Sequence, residues 1–274
     1  MSLVGISDHI EELRARCAAL GPLPCPVVIT GETGTGKGLV ARLLHKHSGQ
    51  TGPFVQRGAG ETDSTLLQDD LFGHVRGAYT GASERRRGLL GTADGGTFFL
   101  DELQDLPMKV QRALLLFLDG SGYAPLGSDR RVQPEVRLIS AAQRPLGELV
   151  AEGLLRLDLL YRLRQVTIVL RPLRERPEDI GPIAEAVLRR HPTGGSGSAC
   201  PTLAARTLAL LERHPWPGNV RELENAVESA AWAAHGEDRI EPEHLPEWFF
   251  EERGAGPTFG VAREIGRELE RRPN

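Results

Sequence analysis

The stretch Gly31-Glu32-Thr33-Gly34-Thr35-Gly36-Lys37-Gly38 has the composition of a loop that wraps an anion. Gly31, Gly34 and Gly36 let backbone amides turn inward, the helix expected to follow adds its positive end, and Lys37 can reach the outer phosphates of a nucleoside triphosphate. The choice of lysine is informative, because the chain holds only Lys37, Lys46 and Lys109 among 33 basic residues and uses arginine elsewhere. A compact charge on a flexible stem suits a phosphate better than a planar fork does. The segment from Gly31 through Leu39 is therefore the candidate nucleotide-binding stretch, with a nucleoside triphosphate as the implied ligand. It departs from the usual pattern at Gly38, where a Ser or Thr hydroxyl would ligate magnesium.

A second candidate is the pair Asp101-Glu102, directly after the apolar run Thr97-Phe98-Phe99-Leu100. Carboxylates at the end of a buried strand belong at the carboxyl edge of a parallel sheet, where ligands of open α/β sheets sit. There Asp101 can hold magnesium, directly or through water, and Glu102 can orient a water for attack on the γ-phosphate. The pair could instead cap the helix expected after Pro107, and it is the phosphate loop that favours catalysis.

A third lies in residues 72–88, FGHVRGAYTGASERRRG, which match neither the helical nor the strand period. Gly73, Gly77 and Gly81 recur every four residues, which would leave a helix with a bare stripe, so a mobile loop is predicted. Tyr79 stands between Ala78 and Thr80, with Gly77 and Gly81 outside them. An aromatic on glycine hinges reads as a partner contact; folding back into the core is the alternative. Arg76 and the run Arg85 to Arg87 alone would be a solvated face.

The elements that must position these residues follow from periodicity. A helix is predicted over residues 7–20, with a start at Ser7 or Asp8 and Ile10, Leu13, Cys17 and Leu20 on one face. Val27-Val28-Ile29 reads as a buried strand, Leu39 to Leu44 as helix, Pro53 to Val55 as the opening of a strand, and Leu66 to Phe72 as helix. Val110 to Leu114 is helical, Val136 to Ser140 and Val166 to Leu170 are strands, and Leu154 to Leu163 is a helix with Arg156 and Arg162 embedded in it. From Pro172 the pattern turns all-helical, with helices over Pro177 to Arg190, Leu203 to Arg213 and Asn219 to Ala234. The loop PTGGSGSACP separates the first two. On the last helix Val220, Leu223, Val227 and Ala231 share a face, leaving Arg221 outside, where it could pair with Glu224.

Bulk properties exclude several classes. A net charge of −4 gives no global argument for nucleic acid or for an anionic membrane, so DNA binding by this chain as it stands is not expected. The N-terminus lacks the basic and apolar regions of a signal peptide, and no apolar run approaches the length of a membrane span, so a cytoplasmic location is expected. Cys17, Cys25 and Cys200 are odd in number and lack metal-binding spacing.

Together these residues resemble the AAA+ domain of NtrC-type bacterial enhancer-binding proteins, the ATPases that activate sigma-54 RNA polymerase. GETGTGKG is similar to the family's GESGTGKE, which also lacks the hydroxyl residue, and LFGHVRGAYTGA resembles its sigma-54-engaging LFGHxxGAFTGA loop. ADGGTFFLDEL, RPLRERPEDI and WPGNVRELENAVE resemble further blocks in the same order. The resemblance runs from about Val4 to about Phe250 and implies a P-loop three-layer α/β ATPase subdomain over residues 1–171. A smaller all-helical lid over 172–250 and a tail over 251–274 would follow, with Val261 to Arg271 as a possible first helix of a truncated helix-turn-helix.

By the same resemblance, Lys37 binds the β- and γ-phosphates, Asp101 the metal, and Glu102 the attacking water. Arg156 and Arg162 are arginine fingers acting in a neighbouring subunit, which implies a homo-oligomeric ring, typically a hexamer, and Arg221 is a second sensor in the lid. Gly77, Ala78, Tyr79, Thr80 and Gly81 would contact sigma-54. Three positions depart from the family. Tyr79 replaces Phe, Ala142-Gln143 replaces the sensor Thr-Asn, and no asparagine occurs near Arg57-Gly58, where one is expected to restrain the catalytic glutamate. These departures bear on the coupling of hydrolysis to loop motion, with a nucleotide-binding module of weak turnover as the alternative.

Overall fold

The computed structural model describes residues 3–61, 64–190, 201–235 and 237–251. The chain divides into two compact units, Met1–Arg176 and Pro177–Asn274.

The first unit opens with α1 (Asp8–Leu20), whose N-cap Ser7 accepts a hydrogen bond from the Ile10 amide. There follow β1 (Val27–Thr30), α2 (Lys37–His47), β2 (Phe54–Gly58), α3 (Ser64–Phe72), α4 (Leu89–Thr92), β3 (Thr97–Asp101) and α5 (Met108–Leu118). It closes with β4 (Arg137–Ala142), α6 (Leu146–Ala151), α7 (Leu157–Leu163) and β5 (Val166–Val169). The five strands form one parallel sheet in the order β2-β3-β4-β1-β5. Side chains alternate between the sheet's two faces, so each face has its own core. Val28, Phe98, Leu100 and Leu138 meet Leu67, Leu71, Val110, Leu114 and Leu160 on one side. On the other, Val27, Ile29, Phe99, Ile139 and Ile168 meet Ile10, Leu13 and Cys17 of α1 and Val40, Ala41 and Leu44 of α2. The architecture is the expected three-layer α/β sandwich.

The register fixes the site. Thr30 pairs with Ala142, Leu100 with Ser140 and Gly58 with Asp101, so β1, β2, β3 and β4 reach one edge together. Whatever follows these strands is gathered there.

Of the helix expected over Leu154 to Leu163 only Leu157–Leu163 is helical, as α7; Leu154 and Leu155 lie in a bend after α6, and Arg156 is the extended N-cap of α7 instead of lying within it. The cause is Gln111, buried on α5. Its side-chain amide donates to the carbonyls of Leu106 and Leu154, and its carbonyl accepts from the Arg156 amide. Gly153, at φ +74, makes the turn that helix geometry would forbid.

The second unit contains α8 (Ile180–Arg190), β6 (Thr202–Leu203), α9 (Ala205–Arg213), α10 (Asn219–Ala233), β7 (Arg239–Ile240) and α11 (Trp248–Glu251). It is helical except for a short parallel ladder of β6 with β7, which the expectation of an all-helical region did not contain. Glu224 pairs with Arg190 at 2.7 Å, so the pairing anticipated for Arg221 is not formed. Most of the loop PTGGSGSACP and the possible helix over Val261 to Arg271 lie outside the described residues. Among the described residues no helix is long and apolar enough to cross a membrane.

Candidate functional site

The glycine loop joins β1 to α2 at the carboxyl edge of the sheet. Gly31, Gly34 and Gly36 have φ of +155, +79 and +103, and at Gly31 a Cβ would stand 2.8 Å from the Leu170 carbonyl, so a side chain is excluded by space as well as by conformation. Gly36 is the N-cap of α2 and offers no side chain to the first-turn amides. Lys37, only 8% exposed, turns its Nζ back into the loop and donates to the carbonyls of Gly31 (2.8 Å) and Glu32 (3.0 Å). The Thr35 hydroxyl also donates to the Glu32 carbonyl, at 2.7 Å. The result is a ring of backbone closed by a buried cation, a geometry that can cradle phosphate.

Within the same stretch Thr33 is exposed, Gly38 and Leu39 are half-buried, and a Cβ at Gly38 would touch only Phe99, at 3.8 Å. The carboxylate of Glu32 is held by both terminal nitrogens of Arg174, at 2.8 and 2.5 Å. Direct hydrogen bonding to that carboxylate raises the Arg174 pKa. Arg174 lies in the block RPLRERPEDI, 142 residues from a partner that no local pattern marks. Gln143, exposed just beyond β4, lines a cavity of about 410 Å³ together with Gly31, Glu32 and Arg164.

Asp101 closes β3, and Glu102 follows it in the left-handed conformation, φ 59 and ψ 50, with its amide donating to Asp101 Oδ1 at 2.8 Å. A non-glycine residue held there stores strain on the order of 1 kcal/mol, a cost found disproportionately at functional sites. The Glu102 carboxylate occupies a notch left by two glycines. A Cβ at Gly58 or at Gly60 would lie 3.1 Å from its Oε2. Glu61 Oε1 stands 2.7 Å from the first of these positions and Asp105 Oδ2 3.4 Å from the second. Sequence reasoning missed this acidic surround, for which only the bare Gly58 and Gly60 gave a signal. Among the described residues no group of three or more His, Cys, Asp or Glu is placed to hold a metal ion.

The segment expected to be a mobile loop contains no helix or strand from Gly73 to Gly88 and is tied by backbone hydrogen bonds. Its root is a short antiparallel bridge in which the amides of His74 and Arg86 each donate to the other's carbonyl, at 3.1 and 3.0 Å. Higher up, the Gly77 amide donates to Ala82 and the Ala82 amide to Tyr79. Gly77 and Gly81 have φ of +81 and +103 with nothing near their missing side chains. Tyr79 is 47% exposed and stands edge-on to His74, ring centres 5.2 Å apart, so it does not fold into the core.

Arg162 is exposed on α7 and Arg156, just before it, is half-buried, beside the exposed Leu154, Leu157 and Tyr161. Arg156 bonds Asp158 at 2.7 Å and Arg162 bonds Asp119 at 2.6 Å, and no ion pair joins either to residues 31–38. In the second unit Arg221 is exposed on α10 and forms no ion pair among the described residues.

Comparison with known proteins gives this arrangement its relatives. The family model described as the Sigma-54 interaction domain matches residues 3–169, and that of the AAA+ ATPase lid domain matches residues 174–258. The transcriptional regulatory protein ZraR of Klebsiella oxytoca is 42% identical over 86% of this chain and 53% of its own length. The DNA-binding transcriptional regulator NtrC of Rhizobium meliloti is 40% identical over 83% of this chain and 47% of its own. The chain thus spans about half the length of these relatives. A crystal structure of NtrX from Brucella abortus in complex with ATP superposes with a TM-score of 0.85 at 30% identity, covering 98% of this chain and 60% of that one. The chain belongs to the sigma-54 interaction domain family, the AAA+ domain of sigma-54-dependent transcriptional activators.

Proposed function

We propose that this domain hydrolyses ATP with magnesium and uses the cycle to remodel sigma-54 RNA polymerase through the loop Gly77–Gly81. The observation that carries the reading is the assembly of the Lys37 loop with Asp101 and Glu102 at one sheet edge.

In this reading Lys37 leaves the Gly31 and Glu32 carbonyls to engage the β- and γ-phosphates, while the amides from Gly34 to Leu39 hold the phosphate oxygens. Magnesium, when bound at Asp101, supplies charge neutralisation across the phosphates. Glu102 orients a water in line with the γ-phosphate and takes its proton as attack proceeds. Gln143, beside Gly31, senses the γ-phosphate position, and Arg221 senses nucleotide from the lid. Arg156 and Arg162 give up Asp158 and Asp119 to enter a neighbouring copy's site, in a homo-oligomeric ring that we take to be a hexamer. The exposed Leu157 and Tyr161 between them support a covered interface. An arginine supplied across that boundary makes turnover depend on assembly. We assign the ATPase role, with Gln143, to the first unit and the sensing by Arg221 to the second.

A nucleotide-binding module with weak turnover is favoured by one observation, that Glu102 faces glycines and other carboxylates where the family places an amide. Steady-state phosphate release decides between the two. The ATPase reading predicts turnover that Glu102→Gln lowers by a factor of about 100 or more while ATP still binds. Equal release by the variant and the wild type would overturn it.

A further inference from the structure

The phosphate loop carries an acid of its own. The Glu32 carbonyl accepts from Lys37 Nζ and from the Thr35 hydroxyl, at 3.0 and 2.7 Å. The carboxylate belongs to the same residue, so covalent geometry keeps it within about 10 Å of the lysine, about one Debye length at 0.1 M salt. A nucleoside triphosphate entering the loop would bring several negative charges into that range, where like charges repel. Uncompensated, Glu32 would oppose the very ligand that Lys37 and the loop amides attract.

Arg174 supplies the compensation. Its two terminal nitrogens each donate to one oxygen of the Glu32 carboxylate, the two-pronged geometry in which a guanidinium matches a carboxylate best. Both residues belong to the first unit, and the chain after β5 delivers the arginine. The Leu170 amide donates to the Thr30 carbonyl at 2.8 Å, and the missing side chain of Gly31 leaves room for the Leu170 carbonyl beside the loop. Pro172 then opens a single 3-10 turn, Leu173–Glu175, closed by hydrogen bonds from the Glu175 amide to Pro172 and from the Arg176 amide to Leu173. Leu173 and Arg176 are both buried, so the turn is pinned near each end and Arg174 is aimed from a fixed base. The side chains of Arg174 and Glu32 are 45% and 40% exposed, and an ion pair so placed adds little to the stability of a fold. Its consequence lies in the field that a ligand meets. The two charges stand so close together that, at the distance of a bound phosphate, they nearly cancel.

We propose that Arg174 is a positioning residue that cancels the charge of Glu32, so that a polyanionic nucleotide can occupy a loop bearing its own carboxylate. The inference rests on the proposed nucleotide role of the loop. Arg174 touches no nucleotide in this scheme and acts through Glu32 alone.

Titration calorimetry with a non-hydrolysable ATP analogue and magnesium, on the wild type, Arg174→Met, Glu32→Gln and the double variant, reads the charge balance without turnover or sigma-54. At about 0.01 M salt, where screening reaches about 30 Å, Arg174→Met should bind the analogue about fivefold or more weakly than wild type. Glu32→Gln leaves an extra positive charge and should bind it more tightly by a similar factor. The double variant should return to within about twofold of wild type. At about 1 M salt, where screening reaches only about 3 Å, all these differences should shrink below about twofold. Arg174→Lys keeps the charge and should stay within about twofold of wild type, and Arg174→Gln serves as the probe if the Met variant folds poorly. A clasp that merely braces the loop gives another pattern, in which both single variants bind weakly, the double variant is no better, and salt leaves the ratios unchanged. That pattern, or a loss in Arg174→Met that the double variant retains in full, would overturn the proposal. A wild type that binds no analogue refutes the nucleotide reading of the loop itself. A wild type that binds it, with every variant equal to it at low salt, refutes only the part given to Arg174.

Discussion

Replacing Gly73 by alanine should unfasten the loop that carries Tyr79, whereas the same change at Gly77 should be tolerated. Both glycines have positive φ, +73 and +81, so alanine at either costs about 1–2 kcal/mol in backbone strain. At Gly77 nothing lies within 4 Å of the new Cβ, and the cost ends there. At Gly73 the Cβ would fall 2.1 Å from the Arg86 carbonyl oxygen and 2.7 Å from the Arg87 carbonyl carbon and the Gly88 nitrogen, all backbone atoms that cannot step aside singly. Relief requires opening the bridge between His74 and Arg86, two hydrogen bonds of about 1 kcal/mol each. The Gly73 variant should therefore lose about 2 kcal/mol more local stability than the Gly77 variant, roughly 30-fold in an opening equilibrium. Amide exchange at His74 and Arg86 measures this. The Gly73→Ala protein should exchange there roughly 30-fold faster than Gly77→Ala, with core amides of β1 and β4 unaffected in both. Equal rates in the two variants would refute the built root.

Three other outcomes follow from the geometry. Lys37→Ala should weaken ATP binding by about 10- to 100-fold, the worth of a charge-assisted hydrogen bond, as titration calorimetry would show. Burial pushes the Cys17 thiol up to about 11 from 9.0, so thiol reagents at pH 8 should label the half-buried Cys25 in the native protein and reach Cys17 only on unfolding, read by peptide mapping. Because the folded value is the higher one, the Cys17 contribution to stability is present below pH 9 and is lost as pH rises towards about 11, a decline that Cys17→Ala should remove from a denaturation series.

Much of the first unit was legible because its signals are local. Val27-Val28-Ile29 is a β-branched run long enough only for a buried strand, and the glycines at 31, 34 and 36 mark a loop whose conformation other residues resist. The carboxylates of Asp101 and Glu102 could be set at the sheet edge because they end an apolar strand. What escaped was set by distant partners. The break before α7 depends on Gln111, 45 residues from Arg156, and no periodicity within residues 154–163 records it. The left-handed Glu102 and its glycine notch arise only when β2 and β3 pair. Residues 72–88 read as a mobile loop because what ties them is scattered backbone hydrogen bonds, the reciprocal pair of His74 with Arg86 and the one from Val75 to Leu126, and not a repeating face. Arg221 and Glu224 have the spacing of a helical pair, yet Glu224 is taken by Arg190 from another helix.

The central claim is that nucleotide state presents Tyr79 to sigma-54, and capture of sigma-54 by the domain measures it most directly. With MgADP and aluminium fluoride the wild type should retain sigma-54 on gel filtration, and with no nucleotide it should not. Tyr79→Ala should bind the analogue with wild-type affinity and lose the capture. Capture that is equal with and without nucleotide, or that persists in Tyr79→Ala, would contradict the account.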